Sequence, residues 1–176
     1  PIMFLGLAGL VNEMIDRLML KEILPEGFYA MVDWSTIEAL GVYSANYKFA
    51  IFITLAIQAY RYAAEPFFFK AGKEKDSKQT FSELMNIFVV LLLLAAVLIS
   101  VFRIEVSYLI LRSSVFREGI FIVPILLMAN VCLGIYYNLS AWYKLTDKTI
   151  YGTIIGVGGA VITVVANFVL IPFYGF

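Results

Sequence analysis

The chain of 176 residues is 62% hydrophobic and 15% charged, and its 13 basic residues balance its 13 acidic ones. Soluble domains carry about 25% charged residues, so the composition excludes an ordinary soluble domain. The zero net charge excludes bulk electrostatic attraction to nucleic acid. Histidine is absent, which removes the commonest metal ligand and general base. The single cysteine, Cys132, has no second cysteine for an intrachain disulfide.

Long uncharged segments dominate the sequence. They lie at 84–102, 119–143 and 149–176, and a fourth long segment at 39–60 carries a single charge, Lys48. A helix needs about 20 apolar residues to cross a bilayer, and it satisfies its backbone polar groups internally. The sequence therefore predicts an all-α, polytopic transmembrane helix bundle of about five spans.

In chain order, the predicted helices cover about 1–24, 39–65, 80–102, 116–142 and 149–171. Prolines decide several boundaries, because proline disrupts a helix interior. Pro25 is expected to end the first helix, Pro66 to kink the second or start a new turn, and Pro172 to stop the fifth. A short amphipathic helix is predicted at Glu105 to Leu111, along the membrane interface. Residues 1–176 are expected to form a single transmembrane domain, a fragment of a longer membrane protein.

Charged residues inside a span are functional candidates because their insertion into lipid is costly. Lys48 is expected near the middle of the second helix, which also carries Asn46 and Gln58. Lys48 then either lines a wet cavity or pairs with an acid on another helix, such as Asp16. Arg61 belongs to the same helix and either contacts a substrate or forms an anchoring pair with Glu65.

Two other helices carry candidate polar residues. In the first helix, Glu13 and Asp16 are acidic, and the cluster either has a role in function or sits half in water at the helix end. In the fourth helix, Asn130 and Tyr137 share one face because they are seven residues apart. The sequence contains no Ser/His/Asp set and no metal-binding cluster, so we expect neither an enzyme nor a cofactor.

Four segments carry a family resemblance: GLAGLVNEMIDRLMLKEILP (6–25), ALGVYSANYKFAIFITLAIQAYRYAAEPFFF (39–69), YYNLSAWYKLTDKTIYG (136–152) and NFVLIPFYG (167–175). They resemble the polysaccharide-biosynthesis, or O-antigen-type oligosaccharide flippase, branch of the multidrug/oligosaccharidyl-lipid/polysaccharide exporter superfamily. The resemblance covers nearly the whole chain, but none of the segments is a catalytic signature.

The resemblance implies a fold and a function. Such transporters have two lobes of helices, 12–14 in all, around a central cavity, and this chain resembles the first five helices of the second lobe. They move undecaprenyl-pyrophosphate-linked glycans across the bacterial inner membrane by alternating access, as part of cell-envelope and lipopolysaccharide synthesis. By this resemblance, the candidate substrate-binding residues are Lys48, Arg61, Asn46, Gln58, Asn130 and Tyr137, and the candidate ion-coupling residues are Glu13 and Asp16.

The implied partners are the lipid-linked glycan, membrane lipids and the remainder of the same transporter. Two alternatives remain open. One is a multidrug or peptidoglycan-precursor exporter of the same fold. The other is a membrane-embedded glycan polymerase or transferase, or a scaffold, although the short loops disfavour a transferase.

The loop between the second and third helices is predicted to be cytoplasmic. It carries Lys70, Lys73, Lys75 and Lys78, and cytoplasmic loops are enriched in Lys and Arg. In a Cys132→Ala background, a cysteine placed at position 75 should resist an impermeant thiol reagent in intact cells and react after permeabilisation. Modification from outside the cell would reverse the predicted topology.

Overall fold

A computed structural model of the chain describes residues 14–25, 28–29, 34–71, 77–145 and 148–175. These residues form helices and no strands. The helices are α1 (residues 14–23), α2 (Thr36–Ala71), α3 (Ser77–Val101), α4 (Arg103–Ile110), α5 (Ser114–Arg117), a 3-10 turn (Ile120–Ile122), α6 (Val123–Leu145) and α7 (Thr149–Tyr174).

Four helical segments of the described chain are long and apolar enough to cross a membrane. They are Thr36–Ala64, Gln79–Val101, Ser114–Ser140 and Ile150–Tyr174. This confirms the predicted all-α transmembrane helix bundle. Of the first predicted helix, residues 14–23 are helical, and the part before residue 14 lies outside the described residues.

The structure bears on two of the proline expectations. Pro66 lies inside α2, which continues to Ala71, so of the two expected effects, a kink or a new turn, the new turn is excluded. A long apolar helix tolerates the loss of the single hydrogen bond that proline removes. Pro172 lies inside the last turn of α7, which ends at Tyr174 rather than at Ile171. Pro124 is the second residue of α6, a first-turn position where its missing N–H costs little.

A capping box begins α2 three residues earlier than predicted. The Ser35 N–H and hydroxyl donate to the Glu38 carboxylate at 2.8 and 2.7 Å, and the Glu38 N–H donates to Ser35 Oγ at 3.3 Å. This reciprocal arrangement satisfies backbone donors that the first helical turn leaves unpaired. The Ser35-x-x-Glu38 pattern is readable in the sequence, so the boundary was predictable.

The chain divides into two compact units, Pro1–Ala45 with Lys148–Phe176, and Asn46–Asp147. In the first unit, the described core joins α1 to the start of α2 and the end of α7. Its buried residues are Met19, Leu20, Leu24, Ala39 and Ile171.

In the second unit, α2, α3 and α6 meet at Gly134 of α6. A Cβ at this glycine would lie 2.7 Å from Leu92 Cδ1 of α3 and 3.1 Å from two carbons of the Ile57 side chain of α2. The three helices therefore approach one another closely at the level where α6 has no side chain. Close approach through small residues is a common way for membrane helices to associate.

Gly134→Ala should lower the stability of the folded protein by about 1–3 kcal/mol, the usual cost of an overpacked core. The matched control is Gly158→Ala on α7, where a Cβ meets nothing within 4 Å. Both changes give the same gain in helix propensity, so their difference isolates packing. The measurement is the thermal unfolding midpoint in detergent, and equal midpoints for the two variants would contradict the close contact.

Candidate functional site

Polar side chains join α2 to α6 inside the second unit. The Thr54 hydroxyl of α2 lies 3.0 Å from Asn130 Oδ1 of α6, and Asn130 Nδ2 donates to the Leu126 carbonyl at 2.9 Å. Asn130 is only 4% exposed. A buried amide without hydrogen bonds would be costly, so these contacts explain how the apolar helix pair accommodates Asn130.

A second polar contact lies two turns further along both helices. Asn138 Nδ2 of α6 donates to the Tyr60 hydroxyl of α2 at 3.0 Å. The Tyr60 ring stacks on Phe88 of α3, with centroids 3.8 Å apart and planes 17° from parallel. Residue 54 contacts residue 130, and the later residue 60 contacts the later residue 138. The two helices α2 and α6 therefore run in the same direction.

Arg61 completes this set of contacts. Its guanidinium carbon lies 4.4 Å above the centroid of the Tyr137 ring, within the range of a cation–π interaction. We call Thr54, Tyr60, Arg61, Asn130, Tyr137 and Asn138 the α2–α6 polar seam. Stacking uses the face of the guanidinium and leaves its N–H edge available to an anion.

Three of the six predicted substrate-binding residues belong to the seam, and the other three do not. Arg61, Asn130 and Tyr137 belong to it. Asn46 is buried instead against α5, where its Nδ2 donates to the Phe116 carbonyl at 2.7 Å. Gln58 is half-buried, and no hydrogen bond in the described chain joins it to the seam.

Lys48 lies on a different face of α2 from its polar neighbour Asn46. It is exposed, and at about 100° per residue it lies about 200° around the helix from Asn46. Lys48 lies near the middle of the candidate span Thr36–Ala64, and its neighbour Asn46 donates a hydrogen bond to the Phe116 carbonyl of α5. Helix periodicity therefore separates Lys48 from the polar residues nearest to it in sequence.

Of the two candidate ion-coupling acids, Glu13 lies outside the described residues. Asp16 is half-buried in the first unit, where its carboxylate accepts a hydrogen bond from the Tyr43 hydroxyl of α2 and another from the Arg17 backbone N–H at 2.8 Å. Asp16 therefore contacts α2 through Tyr43. Its predicted partner, Lys48, lies between one and two helical turns further along α2.

Sequence reasoning missed Tyr43 and Tyr60 as partners. The sequence analysis assigned no role to either tyrosine, yet each supplies the hydroxyl that a polar group on another helix contacts. The sequence carried one signal for these partners: an acid or amide in an apolar helix requires a hydrogen-bond donor or acceptor on a neighbouring helix. Which tyrosine meets that need depends on helix packing.

The seam has the chemistry of recognition rather than of acid–base catalysis. It contains amides, hydroxyls and one permanent cation, and no carboxylate is among its members. Within the described part of the chain, no group of three His, Cys, Asp or Glu side chains is placed to hold a metal ion. The seam can hold helices in register and present one guanidinium to an anion.

No family model, curated protein or solved structure matches the chain. The family resemblance therefore rests on the four sequence segments alone.

The Thr54–Asn130 contact should show a measurable coupling free energy. Interhelical hydrogen bonds in membrane proteins contribute about 0.6 kcal/mol on average and up to about 1.7 kcal/mol. A double-mutant cycle of Thr54→Val and Asn130→Ala, followed by unfolding in detergent, should give a coupling in this range. A parallel cycle of Thr54→Val with Ser140→Ala is the control, because Ser140 bonds the carbonyl of Tyr137 on its own helix. Strict additivity in the first cycle would show that the seam contact is absent in solution.

Proposed function

We propose that the chain is part of a transporter that moves a lipid-linked oligosaccharide across the bacterial inner membrane. The proposed substrate carries its sugars on a polyprenyl pyrophosphate, as the resemblance implies. The observation that carries the proposal is Arg61, a permanent cation that is half-buried and stacked on Tyr137 within an apolar helix bundle. Among the described side chains, no acid pairs with it; the side chain of Glu65, the predicted alternative partner, lies outside them.

A cation in this position suits a phosphate ligand. Arginine presents a planar set of donors that matches phosphate oxygens, and such charge-assisted hydrogen bonds are about twice as strong as neutral ones. The Tyr137 ring limits the rotation of the guanidinium, so less conformational freedom is lost when an anion binds. Asn138 and Tyr60 stabilise the same level of α2 and α6 and thereby support the position of Arg61.

Lys48 is a second candidate contact for the substrate, at another level of the membrane. It is 13 residues from Arg61, so the two lie about 20 Å apart along the helix axis. One pyrophosphate cannot span that distance. The proposal therefore rests on Arg61, and a substrate contact at Lys48 stays a prediction.

Arg61→Gln in the full-length transporter should reduce glycan export about tenfold or more, because hydrogen bonds to charged groups contribute about 1.5–3 kcal/mol. Arg61→Lys should retain part of the export, since it keeps the charge and loses the planar donors. The readout is surface polysaccharide together with lipid-linked units remaining on the cytoplasmic face. The control is Lys21→Gln, a change at an exposed lysine of α1.

Deleting the full-length gene sets the reference for this experiment, and lipid-linked repeat units should then accumulate on the cytoplasmic side. Protein abundance in the membrane is measured for each variant, so that misfolding is separated from lost transport. Normal export by a well-folded Arg61→Gln protein would refute the role of Arg61. Absence of accumulation in the deletion strain would refute glycan transport and favour an exporter of another substrate.

A further inference from the structure

A second cationic region lies where α3 connects to α6. Over residues 102–122 the chain carries Arg103, Arg112 and Arg117 against two acids, Glu105 and Glu118. Within this stretch, which the structure describes throughout, no ion pair joins these charges to one another. Arg103 donates to the Ser100 carbonyl at 2.8 Å, and the Arg117 guanidinium lies 4.3 Å from the centroid of the Tyr108 ring.

Most N–H donors of these arginines have no acceptor on the described part of the protein. Arg112 is exposed and makes no hydrogen bond with any residue that the structure describes. Arg117 makes none either, and its Nε is buried without a partner, as is Nε of Arg103. Three guanidinium groups with so few protein acceptors require acceptors from their surroundings.

The apolar residues of the same connection indicate what those surroundings are. Helix α4 exposes Tyr108 at 66% and Leu109 at 88%, and Ile104 is also exposed. The connection joins the end of one candidate span, Gln79–Val101, to the start of the next, Ser114–Ser140, so it lies at one surface of the membrane. A short helix with exposed apolar residues beside basic ones is typical of an element that lies in the interface.

We propose that Arg103, Arg112 and Arg117 form a binding surface for the phosphate headgroups of anionic phospholipids. The exposed residues of α4 then contact acyl chains, while the arginines reach the phosphate level. The Tyr108 ring, stacked under Arg117, lies between the two, as aromatic residues at a membrane surface do. This surface is separate in sequence from the α2–α6 polar seam and does not depend on the proposed transport.

The test measures lipid preference directly. The full-length protein is placed in nanodiscs of phosphatidylcholine with a minor share of phosphatidylglycerol, and the lipids that remain bound after release are counted by native mass spectrometry. The wild-type protein should retain phosphatidylglycerol selectively. Each basic residue at a membrane surface strengthens anionic-lipid binding roughly fivefold, so Arg112→Gln with Arg117→Gln should weaken it about thirtyfold.

Two further variants keep the test decisive if the double variant folds poorly. Arg112→Gln alone changes an exposed side chain that makes no hydrogen bond to the described residues, and it should still weaken binding about fivefold, whereas Arg112→Lys should preserve it. Lys21→Gln, in the other unit, is the charge-matched control and should have no effect. Unchanged phosphatidylglycerol retention in Arg112→Gln, or equal loss in Lys21→Gln, would overturn the proposal.

Transport assays distinguish this proposal from the preceding one. Loss of phosphatidylglycerol preference in Arg112→Gln, with Arg61→Gln retaining it, supports the lipid surface whatever the transported substrate is. If Arg112→Gln instead abolishes glycan export while phosphatidylglycerol retention is unchanged, the arginines bind the substrate, and the lipid surface is wrong.

Discussion

Every polar group within the apolar bundle has to find a partner on the protein, and this requirement sets the register of the second unit. The apolar side chains of α2 and α6 would allow several sliding positions, because Leu, Ile and Val contacts are not directional. Three polar contacts remove that freedom: Asn46 with the Phe116 carbonyl, Thr54 with Asn130, and Tyr60 with Asn138. A shift of one turn would break all three and leave buried amides unpaired, which costs more than the apolar contacts can recover.

The same requirement separates structural from functional polar residues. Asn130 is hydrogen-bonded to the Thr54 hydroxyl and the Leu126 carbonyl, and Asn138 to the Tyr60 hydroxyl, so packing explains the presence of both amides in a membrane helix. Asp16 is likewise satisfied, by the Tyr43 hydroxyl and a backbone N–H. Arg61 is different, because its guanidinium stacks on Tyr137 and no acid among the described side chains pairs with it. The proposed function therefore rests on a cation, Arg61, rather than on the amides.

The polar groups of the connection between α3 and α6 also require partners. Its arginines stand beside exposed apolar side chains, a combination that water alone does not stabilise and an interface between water and lipid does. The Asn46–Phe116 hydrogen bond ties this connection to α2.

The sequence by itself determined the all-α fold class, the approximate positions of the four described spans and the presence of a short helix at α4. These follow from local properties, namely the length of each uncharged run and its flanking charges and prolines, which act on a helix whatever it packs against. It also indicated that Arg61, Asn130 and Tyr137 were candidates, because polar residues in spans are conspicuous. Only the tertiary structure decided which of them meet, that Asn46 is buried against Phe116, and that Tyr43 and Tyr60 supply the partners. Those outcomes depend on the rotation and register of helices that are far apart in sequence. The apolar pattern of a single helix does not specify them, because apolar residues face both lipid and protein.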